Sequence, residues 1–249
     1  MPSRHGFDRF FGYLHQVHAH SYYPEFLWDD ERKFPLAGNA SGRREEYSAH
    51  IITARAHDFV RQNRDRPFFL YASYTLPHGR YEVPSQEPYT GESWPDGHKN
   101  FAAMVTMADD FLGELLLLLS DLGVEESTIV FVTSDNGGPA GGEKGFDFFQ
   151  SNGSLRGEKG ERYEGGIRVP LVVRWPGRVR AGTVCRTPYA FCDFLPTAAE
   201  LAGIAKLPQH DGVSLVPELT GGQAPARDYL YWAHPTYTFE KPALRPRSF

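Results

Sequence analysis

The sequence predicts an α/β fold organised on a mostly parallel sheet, and three observations carry that expectation. A short apolar run at 67–72 (PFFLYA) precedes a long amphipathic segment at 99–122. A β-branched run, TIVFV, follows at 128–132. Strand, helix and strand with one apolar helix face make a βαβ unit, and such units build parallel sheets.

The elements follow in chain order. Residues 8–44 are rich in aromatic residues and broken by Pro and Gly, so they read as loop. Residues 45–63 place Ile51, Ile52, Arg55 and Phe59 at helical spacing. The run at 67–72 is apolar on both faces, as a buried strand requires. Residues 74–98, rich in Pro, Gly and Tyr, read as loop. Within 99–122, Phe101, Met104, Val105, Ala108, Phe111, Leu112, Leu115 and Leu119 recur at three- and four-residue steps, and Gly123 is a stop signal. A third strand is expected at 170–175 (PLVVRW). A helix is expected at 193–203, with Asp193 near its start, a proline in its first turn and Gly203 closing it. One more strand-like run, YLYW at 229–232, precedes a Pro- and Arg-rich tail.

Composition narrows the function. A chain of 249 residues can bury a large core. A net charge of −5 with no basic stripe argues against nucleic acid, and no stretch approaches the roughly 20 apolar residues of a membrane span. The opening MPSRHG has no apolar signal-peptide core. Cys185 and Cys192 make neither a disulfide framework nor a zinc pattern and read as buried thiols.

Four stretches carry candidate chemistry. In TSDNGG, 133–138, Asp135 and Asn136 follow a strand and offer two hard oxygens, which suits Ca²⁺ or Mg²⁺. The same residues also suit a plain tight turn. In LRGEKGERYEGGIRVP, 155–170, Lys159 sits among glycines, either on a flexible loop that aims an ammonium at an anion or on a solvated charged loop. His78, in LPHG just past the run at 67–72, is an acid, base or anion donor, or a structural histidine. His15, His18 and His20 in HQVHAH are a metal cluster or ordinary loop histidines.

Taken together, these stretches resemble the sulfatase family of arylsulfatase type. The matching segments run in the family's order: HGFDRFFGY, HAHSYYPEFLW, LPH, DLGVEESTIVFVTSDNGG, LRGEKGERYEGGIRVP, DFLPTAAELAG and DGVSL. The resemblance implies an alkaline-phosphatase-like α/β/α sandwich, incomplete at its N-terminus, with a catalytic domain over 1–218 and the start of a small C-terminal subdomain over 219–249. It implies hydrolysis of sulfate esters, with Asp135 and Asn136 as ligands of Ca²⁺ or Mg²⁺. Lys159 and His78 would bind sulfate, one of them protonating the leaving alcohol. The partner would be a sulfated small molecule or a sulfated glycan. The location implied is secreted, periplasmic or lysosomal, with any signal segment upstream. All four residues should then meet on one rim at the carboxyl ends of parallel strands.

The resemblance has gaps. The family's nucleophile is a formylglycine made from the cysteine of Cys-x-Pro-Ser-Arg. Here Met1-Pro2-Ser3-Arg4 runs straight into HGFD and resembles the linker before that stretch. Cys185 continues Arg-Thr-Pro and Cys192 continues Asp-Phe-Leu, so neither has the spacing. The family's N-terminal acidic pair and its Lys/His element have no match either, and the tail LRPRSF departs from the family's closing sheet. The expectation is a sulfatase piece that is inactive alone. The alternatives are a phosphonate or phosphate ester hydrolase of the same superfold and a non-catalytic module that binds sulfated ligands.

Overall fold

The stretch 8–44, which periodicity leaves as loop, instead pairs into a small antiparallel sheet in the computed structural model. Its strands are β1 (Phe11–Gly12), β2 (Phe26–Asp29) and β3 (Arg32–Pro35), with a one-turn helix α1 (Gln16–Ala19) between the first two. Asp29 pairs with Arg32, so the β2–β3 loop has two residues, and Asp30 takes the positive φ of 52° that such a turn needs. Strands of two to four residues are too short to show a period of two in sequence.

The structure describes residues 1–138, 146–223, 226–233 and 243–246. They form two units, Met1–Val124 and Glu125–Phe249. In the first, both expected helices form, as α2 (Ser48–Asn63) and α3 (Asp96–Asp121). The Arg55 guanidinium of α2 lies 4.9 Å over each of the Phe11 and Phe34 rings, which ties the helix to the small sheet. Phe101, Met104, Phe111 and Leu119 of α3 are buried as their spacing requires, whereas Val105 is exposed. Gly123 ends the helix at φ 68°, its N–H on Ser120 O and that of Val124 on Leu119 O. Tyr22, Tyr47, Ala49, Met104 and Phe111 make the core cluster. Among the described residues no helix is long and apolar enough to cross a membrane.

The run at 67–72 is a correction. It forms no described strand, and Phe69 and Tyr71 are 55% and 70% exposed. An apolar run becomes a buried strand only when ladder neighbours cover its edges and layers cover its faces.

In the second unit, β4 (Val130–Thr133) stands where the sequence places it. Two four-residue helices, α4 (Phe146–Phe149) and α5 (Glu164–Ile167), precede β5 (Leu171–Arg174). The β4–β5 pair is antiparallel, Val130 opposite Arg174 and Thr133 opposite Leu171, so the expected parallel ladder is not among the described ones. A parallel crossover takes a dozen or more residues, usually as one helix. Neither four-residue helix between these strands provides that. Arg174 pairs with Glu125 at 2.8 Å, and the Trp175 indole N–H donates to Glu126 O at 3.1 Å.

The helix expected at 193–203 forms as α6 (Phe194–Leu201), followed by α7 (Val216–Leu219). The tail does not simply run on. Strand β6 (Tyr229–Trp232) pairs antiparallel with β7 (Ala243–Pro246), so part of LRPRSF closes a two-stranded sheet, while its last three residues lie outside the described ones. The two thiols are also a correction. Both cysteines are exposed, Cys185 on an irregular segment and Cys192 on a single 3-10 turn. Partial desolvation still raises both thiols above their usual range. The Glu218 carboxylate adds to this at Cys185, whose Sγ lies 2.6 Å from Glu218 Oε1.

Three imidazoles of the first unit give it a pH response. Burial holds His18, His50 and His57 below the ordinary histidine range. A depressed folded-state value means that the unfolded chain takes up protons first as pH falls. The stability these neutral rings contribute is complete above about pH 6.5 and is lost on acidification through their lowered values. Urea midpoints should therefore fall between pH 7.5 and 5.5, and less so in His50→Gln/His57→Gln. A midpoint equal at both pH values would contradict this.

Candidate active site

TSDNGG begins at the last residue of β4 and leaves the strand through Ser134. The Thr133 hydroxyl donates to Pro170 O at 2.8 Å, and the Ser134 hydroxyl to Asn136 O at 3.1 Å. Asp135 is exposed and Asn136 half-buried. The Asn136 amide nitrogen donates to Gly137 O at 3.0 Å, which leaves Oδ1 as the end suited to a cation.

This turn is bonded to the 155–170 stretch. Gly137 N–H donates to Gly166 O at 3.1 Å, and Lys159 N–H donates to Gly138 O at 2.7 Å. Asn152 joins them from a third segment, its Oδ1 accepting from Gly138 N–H at 2.8 Å and its Nδ2 donating to Gly157 O at 3.0 Å. The structure thus brings Asp135, Asn136 and Lys159 into one loop assembly. His78 belongs to the first unit, where its Nδ1 lies 2.8 Å from Gly79 O.

Gly137, Gly157, Gly165 and Gly166 of this assembly are close-packing positions. A Cβ on Gly137 would lie 1.7 Å from Gly165 O, and one on Gly165 would lie 2.0 Å from Gly157 O. Real Cβ atoms essentially never come within 3.0 Å of such atoms. Only glycine lets these backbones approach so closely. Arg156, stacked 3.7 Å over the Tyr163 ring and donating to its hydroxyl at 2.8 Å, braces the outer loop. Asn152 and Arg156 were not legible as site-builders. The sequence signal that existed was the repeated glycine on both partner stretches.

Asp135 and Asn136 are hard oxygen donors, the chemistry Ca²⁺ or Mg²⁺ wants. Among the described residues no three His, Cys, Asp or Glu side chains are placed to hold a metal. The donor types fit a hard cation, then, but they are two of the six to eight that Ca²⁺ takes.

The HQVHAH histidines do not gather on a metal. His15 Nδ1 accepts from Val17 N–H at 3.2 Å, and His18 packs edge-on against Tyr13 at 5.0 Å. His20 Nδ1 lies 2.8 Å from Gln16 O, and its ring meets that of His78.

Fold and loops together define a mixed α/β protein with a glycine-packed polar loop pair at a strand end. The sulfatase family model matches residues 1–204, and the chain belongs to the sulfatase family. It is 38% identical to steryl-sulfatase of Rattus norvegicus over 179 residues, which cover 68% of this chain and 29% of that protein. It is 31% identical to N-acetylgalactosamine-6-sulfatase of Canis lupus familiaris over 254 residues, covering 93% of this chain and 45% of that protein. The chain thus spans less than half the length of these curated relatives. Among solved structures it resembles Ps i-CgsB in complex with k-i-k-neocarrahexaose. That match has a TM-score of 0.76 and 26% identity, covering 93% of this chain and 54% of that one. The fold is the alkaline-phosphatase-like fold of these sulfatases.

Proposed function

We propose that this chain carries part of the cation- and sulfate-binding machinery of a sulfuric ester hydrolase acting on a sulfated carbohydrate or other sulfated small molecule. The observation that carries the reading is the bonded pair of loops, with Lys159 N–H on Gly138 O and Gly137 N–H on Gly166 O. It joins the backbones of the two loops that carry Asp135, Asn136 and Lys159, which supports a shared site for their side chains. The names of the relatives, a steryl-sulfatase and an N-acetylgalactosamine-6-sulfatase, support either a sulfated sterol or a sulfated sugar.

In this reading Asp135 and Asn136 give two oxygens to Ca²⁺ or Mg²⁺. A bound cation supplies positive charge against the sulfate oxygens. Lys159 adds a point charge to the same oxygens as negative charge shifts onto them and the leaving oxygen. In the complete enzyme Lys159 or His78 would protonate that leaving oxygen. No residue present fits the formylglycine position, since the only cysteines are 185 and 192 and neither precedes x-Pro-Ser-Arg. Without a covalent nucleophile one hard displacement is not divided into two easier ones. The 249 residues therefore bind sulfate esters without turning them over.

The test is an aryl-sulfate assay on the purified chain with Ca²⁺, beside calorimetric titrations of Ca²⁺ and sulfate. The expected result is no turnover above background, Ca²⁺ affinity no better than about millimolar, and sulfate binding weakened by Lys159→Ala. Turnover that Lys159→Ala abolishes would overturn the inactivity. Micromolar Ca²⁺ affinity that survives Asp135→Ala would overturn the ligand assignment.

A further inference from the structure

His20 and His78 lie 58 positions apart in sequence, yet their rings meet edge to face, with centroids 5.0 Å apart and planes at 81°. Each ring is oriented from its own side. Gln16 O, 2.8 Å from His20 Nδ1, can only accept, so the proton of the neutral His20 ring sits on Nδ1. Gly79 O does the same for His78 Nδ1, also at 2.8 Å. The two segments are tied by Tyr22, two residues after His20 and fully buried. Its hydroxyl proton is shared between Thr75 O and His78 O, each 2.9 Å away. Burial pushes this phenol far above its ordinary range, so it remains a donor. Tyr22 in turn stacks on Tyr47 at 5.5 Å, and Ser48 N–H donates to Tyr22 O at 2.9 Å, which anchors the segment to the core and to α2.

We infer that His20 is a positioning residue for His78. Edge-to-face packing, added to the Tyr22 hydroxyl on the His78 carbonyl, confines the exposed His78 ring to one attitude. An unbraced exposed imidazole would sample several rotamers and lose freedom on meeting a ligand. One already held presents its ring to an ester oxygen without that cost. The inference rests on the reading of His78 as a sulfate-ester group and extends it to a residue from the HQVHAH stretch. An aromatic edge, not a charge, is what this role requires, so phenylalanine should replace His20 and alanine should not.

The experiment uses the full 249-residue chain with selectively labelled histidine. Side-chain coupling constants of His78 report its χ1 distribution, and inorganic sulfate is the titrant. The expected result is one His78 rotamer in the wild type and in His20→Phe, and averaged couplings in His20→Ala. Sulfate affinity should fall on the order of fivefold in His20→Ala, the fold-change of one edge-to-face aromatic contact, and be kept in His20→Phe. A single His78 rotamer in His20→Ala would overturn the positioning role, whatever sulfate does. His78→Ala reports separately on the parent reading. Sulfate affinity unchanged in that variant removes His78 from the site, and the rotamer comparison still decides whether His20 braces it.

Discussion

Replacing Asp193 with alanine should destabilise the second unit by about 3–5 kcal/mol, the cost of removing one partner from a buried ion pair. Asp193 is 0% exposed, and both its oxygens are used. Oδ2 accepts from Ala190 N–H at 2.8 Å, while Oδ1 accepts from Val213 N–H at 2.8 Å and pairs with Arg227, whose side chain is only 17% exposed. Its main-chain oxygen accepts from the Thr197 hydroxyl at 2.6 Å, and that hydroxyl oxygen accepts from Leu215 N–H at 2.9 Å. The carboxylate thus joins the DFLPT stretch to DGVSL and to the segment before β6. Alanine leaves the Arg227 charge and two N–H groups without their acceptor, each a desolvation cost of about 1–3 kcal/mol. Asp193→Asn should lie between, since it keeps the shape and one acceptor but removes the charge. The second change Arg227→Met, made on Asp193→Ala, should recover part of the loss, because the stranded charge goes with it. Urea unfolding checks the series. A loss under 1 kcal/mol in Asp193→Ala would show that the carboxylate is not the hub this geometry makes it.

Gly137→Ala should be the next most damaging change, at about 3 kcal/mol, and should abolish sulfate binding. The added Cβ would sit 1.7 Å from Gly165 O, 2.7 Å from Gly165 C and 3.2 Å from Gly166 Cα, all of them backbone atoms. No side-chain rotation relieves such a contact, so the two loops must part. Parting them breaks Gly137 N–H to Gly166 O and loosens Lys159 N–H from Gly138 O, the main-chain bonds that join the two loops. Gly113→Ala is the control. It lies within α3 with open space where the Cβ would go, and it should stabilise by about 0.5–1 kcal/mol through helix propensity alone. Thermal unfolding with and without sulfate separates the two outcomes. A Gly137→Ala chain that still binds sulfate would mean that the loops hold the site without this contact.

Much of the molecule was legible without coordinates. Helices α2 and α3 follow from the spacing of apolar residues and the stop at Gly123. Strands β4, β5 and β6 follow from short β-branched or aromatic runs, and α6 from its first-turn proline and closing glycine. These signals are local, because propensity, periodicity and caps act within a few residues of chain. Motif order by itself was enough to place the chain among the sulfatases, and it offered Asp135, Asn136, Lys159 and His78 as candidates. What the sequence could not contain is anything fixed by a partner far along the chain. The hairpin of β2 and β3, the antiparallel pairing of β4 with β5 and the place of the run at 67–72 outside the described ladders all depend on which edges meet. The same holds for Asp193, which looks like a helix-start residue and is a buried acceptor for groups up to 34 positions away. It holds also for the glycines of TSDNGG and YEGG, which read as turn and slack until two backbones are seen in contact. His20 is the last case. Nothing in HQVHAH points to LPHG, and only the folded Tyr22 segment brings one imidazole against the other.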